Sequence, residues 1–152
     1  MCARPWETKL PESPDGTYHI GMSPPAATET KARELALRDA QTNVIKYLGT
    51  EIAETYKSES NAIDGLLADE TLVVAGAKGI AAKVKDRCWR PLEVMAGPDA
   101  LVVAKVLVFY PRATTNDDRI EALRAMQAEA ERSKKPALVK SIKGVLNTLK
   151  AP

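Results

Sequence analysis

Ala100-Leu-Val-Val-Ala-Lys-Val-Leu-Val-Phe-Tyr110 is an apolar stretch with one charge, Lys105, and is closed by Pro111. β-Branched and aromatic residues dominate it, and it is too short to cross a membrane as a helix, so it reads as the central strand of a sheet. Side chains alternate between the two faces of a strand. The even set, Val102, Ala104, Val106, Val108 and Tyr110, is wholly apolar, while the odd set carries Lys105. One face is therefore expected to be fully buried and the other partly covered. What packs on the even face decides the fold.

Working outward, the 152 residues suit one domain with a sizeable core and a tail. Hydrophobic residues make up 45% and charged residues 28%, while aromatics are only 5%, a composition suited to alanine-rich helices packed closely on a sheet. A net charge of +2 is too small to imply nucleic acid. Cys2, Cys88 and the single histidine, His19, give neither a disulfide framework nor zinc-ligand spacing, and no metal or cofactor is expected. The chain contains no membrane-spanning apolar run and no apolar leader segment.

Upstream of the central strand, residues 1–16 hold Pro5, Pro11 and Pro14 and end in Asp15-Gly16, which reads as an extended tether and a turn. Residues 17–23 alternate as a short strand stopped by Pro24-Pro25. Thr28 or Thr30 then caps a long helix over about 29–57. Its stripe is Ala32, Leu35, Ala36, Ala40, Val44, Tyr47, Leu48 and Ile52. Small residues in the first half let the helix approach a sheet closely, and Gly49 is expected to bend it. Residues 58–64 read as a polar turn and 65–79 as a helix. Residues 80–92 read as a charged strand with Val84 and Cys88 inward and Lys83, Lys85 and Arg87 outward. The short loop after it predicts an antiparallel hairpin with the central strand.

Downstream of Pro111 the pattern changes to helical. Thr115 or Asn116 starts a helix with Ile120, Leu123, Met126 and Ala130 on one side. Pro136 starts a last helix striped by Leu138, Ile142, Val145 and Leu149. The pair reads as a helical hairpin.

No catalytic constellation is present. His19 lies in a strand and reads as structural. Cys88 sits among Lys85, Arg87 and Arg90, a setting that lowers a thiol pKa, but nothing beside it in the sequence completes a nucleophilic site. Gly76-Ala-Lys-Gly79 lacks the phosphate-loop pattern and reads as a turn. Lys83, Lys85, Arg87, Trp89 and Arg90 interleave cations with an indole, which suits either a single-strand nucleic-acid binder or a charged edge strand kept from aggregating.

The order Tyr18-His-Ile-Gly-Met-Ser23, Ala32-Arg-Glu-Leu-Ala-Leu-Arg-Asp-Ala40, Asp86-Arg-Cys-Trp89 and Val108-Phe-Tyr-Pro111 resembles the LPP-twenty-type bacterial lipoprotein family. That family is similar to the N-terminal domain of the flagellar assembly protein T, and the likeness covers about residues 17–112. It implies an α+β domain, a long helix across a short antiparallel sheet, with no catalytic residues; the strands read above make that sheet one of at least three strands. It also implies a lipid attached at Cys2 and a place in the bacterial envelope, at the outer membrane facing the periplasm. Met1 stands before Cys2 without a leader, so the anchor is expected only if Met1 replaces a removed signal; an authentic start there implies the cytoplasm. The expected organisation is thus a tether over 1–16, an α+β domain over 17–112 and a helical extension over 113–152. The expected function is non-enzymatic assembly or interaction with an envelope protein, without a small-molecule substrate. The alternative is a cytoplasmic nucleic-acid-binding module using Lys83, Lys85, Arg87, Trp89 and Arg90.

Overall fold

The computed structural model describes residues 4–78, 83–91, 101–112 and 115–150, with the side chains of 83–91, 115 and 116 outside the description. The chain divides into two compact units, residues 1–43 with 81–113 and residues 44–80 with 114–152.

In the first unit β1 (Gly16–Met22) and β2 (Lys83–Pro91) flank β3 (Val102–Pro111), both antiparallel to it. The even face of β3 is buried at Ala104, Val106, Val108 and Tyr110 but only half-buried at Val102; on the other face Lys105 and Phe109 are half-buried, while Val103 and Leu107 are buried. The even face is covered by the start of helix α1 (Glu29–Thr55), whose Thr28 hydroxyl accepts the Lys31 N–H at 3.1 Å. Closeness is achieved at Gly21, in register with Val106. A Cβ there would stand 2.0 Å from the Ala36 carbonyl oxygen and 2.7 Å from the Ala40 Cβ. Glycine opposite alanine is what lets helix and strand backbones meet. Beyond Met22, Ser23 and Ala26 continue the ladder: Ala26 exchanges bonds of 2.9 and 2.8 Å with Val102, and the Ser23 hydroxyl accepts the Ala104 N–H at 2.8 Å.

The second unit is helical. The later part of α1, then α2 (Ser60–Leu67), α3 (Glu70–Ala77), α4 (Thr115–Arg132) and α5 (Pro136–Lys150), surround a core that includes Ile52, Ile63, Leu66, Leu72, Leu123, Met126, Ile142 and Val145. Asp69 caps α3 by accepting the Leu72 N–H, and Lys135 reaches the same carboxylate at 2.6 Å. That hydrogen bond from Lys135 holds the Asp69 carboxyl below its ordinary range. Between α4 and α5, Lys134 adopts φ 55°, with its N–H on the Glu131 carbonyl and the Lys135 N–H on the Ala130 carbonyl. This is a Schellman ending with a lysine where glycine is usual.

Several expectations are corrected. An α+β domain centred on a sheet of at least three strands does not describe this chain: among the described residues it is mostly helical, with five α-helices. The strands described with their side chains are the antiparallel pair β1 and β3, and β2 is described by its backbone register with β3. The reason is that the α1 stripe serves two cores: Ala32, Ala36 and Ala40 belong to the sheet unit, and Val44, Leu48 and Ile52 to the helical one. Helices α4 and α5 contribute seven of the eleven buried residues of that second core. Residues 58–64, expected as a turn, contain a 3-10 turn (Lys57–Glu59) and the start of α2. Gly49 does not break α1; a Cβ there would come within 2.9 Å of Leu67, so it is a seat for that side chain. Gly76, expected in a turn, lies inside α3 against Met126. Finally, the expected tether docks on the body: Pro5–Glu7 form a 3-10 turn and Trp6 is buried beside Leu107, Tyr18 and Ile20.

Candidate functional site

A strand at the edge of a sheet presents unpaired N–H and C=O groups, so the chemistry of β1 and β2 begins with what meets those groups. The β1–β3 register is flanked by a bond from Arg112 N–H to the Asp15 carbonyl and one from Ser23 N–H to the Ala104 carbonyl. Odd-numbered residues of β1 therefore bond to β3, and Tyr18, Ile20 and Met22 direct their backbone groups outward. Helix α1 closes part of this edge. The Asp39 carboxylate accepts the Met22 N–H at 2.8 Å, and the Asn43 amide donates to the Ile20 carbonyl at 2.8 Å. Four residues on a helix advance about 6 Å and two on a strand about 6.8 Å, so this spacing matches alternate groups of the strand. Asp39 and Asn43 thus seal part of the β1 edge.

The same alternation assigns the other edge. Even positions of β3 face β1, so Val103, Lys105 and Leu107 bond toward β2 through Arg90, Cys88 and Asp86, their partners in register. Arg87 and Trp89 then direct their backbone groups away from β3. A bulge between Val84 and Asp86 breaks the expected alternation: Val84 is in register with Val108 of the even set, and Cys88 with Lys105 of the odd set. Of the residues expected to form an interaction surface, Lys83, Lys85, Arg87, Trp89 and Arg90 thus share one edge strand, while their side chains lie outside the described residues. Cys2 lies outside the described residues as well.

Comparisons with protein-family models, curated proteins and solved structures found no match.

Other candidate chemistry resolves into structure. His19 is half-buried with its Nε2 2.8 Å from the Thr17 hydroxyl, and burial pushes its imidazole below the ordinary range. In the helical unit, Ile45, Leu48, Ile52, Leu66, Ala122 and Met126 line much of an apolar cavity of about 30 Å³. That volume is about the space of two waters. Arg119 at its wall is bound at 2.8 Å by Glu51, which also accepts the Tyr47 hydroxyl at 2.6 Å. Among the described residues, no cluster of His, Cys, Asp or Glu is placed to hold a metal ion, and no helix is long and apolar enough to cross a membrane. Sequence reasoning missed Asp39, Asn43, Trp6 and Glu7. Only Trp6, a large aromatic in an otherwise polar segment, carried a local signal.

Proposed function

We propose that this chain is a non-enzymatic envelope lipoprotein, anchored through Cys2 and working in assembly by binding a protein partner along β2. The observation that carries the reading is the difference between the two sheet edges. The β1 edge is bonded by Asp39 and Asn43, whereas β2 directs the Arg87 and Trp89 backbone groups away from its only described neighbour. Strand addition uses such groups for affinity and alternate side chains for selectivity. Lys83, Lys85, Arg87 and Arg90 outnumber Asp86 on this strand, so the partner segment is extended and acidic. The envelope location and the lipid follow from the motif likeness around Tyr18–Ser23, Ala32–Ala40 and Asp86–Trp89.

Two measurements test this reading. A short fluorescent peptide alternating Glu with Val should bind, and binding should be lost in Lys83→Glu/Arg87→Glu and when alternate peptide amides are N-methylated. Binding of a single-stranded oligonucleotide that weakens steeply with salt, without binding of the peptide, would establish the nucleic-acid module instead. Fatty-acid label should enter the protein in cells and disappear in Cys2→Ser; no incorporation overturns the anchor.

A further inference from the structure

The odd face of β3 is covered by the chain's own N-terminal turn, and the construction of that turn is unusual. Trp6 supplies the apolar contact, 6% exposed against Leu107, Tyr18 and Ile20. Glu7 supplies two polar ones with a single carboxylate. Its Oε2 accepts the Arg4 N–H at 2.8 Å, which closes the turn, and its Oε1 accepts the Lys105 ammonium at 3.0 Å, which docks it. Folding of the turn and docking on the sheet are thereby coupled through one side chain. Between this turn and β1, residues 8–15 are exposed except for the half-buried Ser13, and they include Pro11 and Pro14.

We infer that Pro5–Glu7 is a releasable latch that sets how far the sheet unit stands from the membrane. This rests on the Cys2 anchor proposed above. With Trp6 docked, only Ala3 and Arg4 separate Cys2 from the latch, and a fully extended chain reaches about 10 Å from Cys2 to Pro5. With Trp6 released, the free segment runs to about Pro14, before the Asp15 carbonyl held by Arg112, and reaches at most about 40 Å. The docked turn holds the body beside the headgroups, and the released one lets it extend toward a distant partner. Trp6, Glu7 and Lys105 are the residues that choose between the two.

The latch is tested apart from the cell's acylation machinery. In a Trp89→Phe background Trp6 is the sole tryptophan, so its emission reports docking directly. Lys105→Ala and Glu7→Gln should shift that emission to the red and raise its quenching by acrylamide, while the urea midpoint followed by circular dichroism changes little. If Trp6 emission instead follows global unfolding in every variant, the turn belongs to the cooperative core and the latch is wrong. Protein carrying Cys88→Ser, coupled through Cys2 to a maleimide lipid in a supported bilayer, should show by neutron reflectometry a gap that widens by tens of ångströms in Trp6→Ala. An unchanged gap overturns the proposal. Because the lipid is attached chemically, these results are independent of whether cells acylate Cys2, which the labelling experiment decides.

Discussion

Gly21→Ala is the sharpest test of the packing that defines the sheet unit. The new methyl would sit 2.0 Å from the Ala36 carbonyl oxygen, 2.4 Å from the Ala40 nitrogen and 2.7 Å from the Ala40 Cβ. Two of these are backbone atoms, so no rotamer change relieves the clash. Restoring an ordinary separation requires α1 to move off β1 by about 1 Å, the gap between 2.0 Å and a normal contact. A shift of that size stretches the Asp39–Met22 and Asn43–Ile20 bonds, now 2.8 Å each, beyond useful length. Overpacking alone costs about 1 to 3 kcal/mol, and the loss of two bonds adds about 0.5 to 1.5 kcal/mol each. The expected destabilisation is therefore about 2 to 6 kcal/mol, a large share of the about 5 to 15 kcal/mol available to a domain. Gly144→Ala is the matched control. Gly144 is exposed within α5 with nothing within 4 Å of an added methyl group, so the same change should stabilise by about 0.5 to 1 kcal/mol. Urea unfolding followed by circular dichroism measures both. A Gly21→Ala protein within about 1 kcal/mol of wild type would refute the close approach of α1 to β1.

Two further outcomes are expected. Burial pushes the His19 imidazole below its ordinary value of 6.5, so the unfolded chain binds its proton more readily; stability should fall as pH drops below about 6.5 and level off under the folded value, and His19→Gln should remove that component. An identical loss in both proteins between pH 7.5 and 5.5 would contradict it. Lys134→Gly should raise stability by about 1 kcal/mol in urea, because relief of the left-handed strain at φ 55° exceeds the added backbone entropy, and a lower midpoint would count against the Schellman ending.

How much of this was legible in the sequence follows from the range of the forces involved. Period-two alternation in 102–110 marked β3 and its buried face, and spacings of three and four marked α1, α4 and α5, because each pattern repeats within a few residues. Thr28 and Pro136 were readable as helix starts for the same local reason. The edge chemistry was not. Asp39 and Asn43 look like any polar residues on a helix until β1, some twenty positions earlier, is laid beside them. Lys105 reads as a solvated strand charge until Glu7 arrives from 98 positions away.

What the sequence by itself determined is therefore the type of each strong element and the face it buries, since backbone geometry converts residue spacing directly into direction. Tertiary structure alone decided that a single alanine-to-isoleucine stripe on α1 serves two cores, that Gly21 is a contact and Gly49 a seat, and that the N-terminal segment folds back through Trp6. A glycine carries no mark of what approaches it, and an apolar stripe does not name its partner. Those choices belong to packing, where burial is non-directional and any well-shaped surface competes for the same side chain.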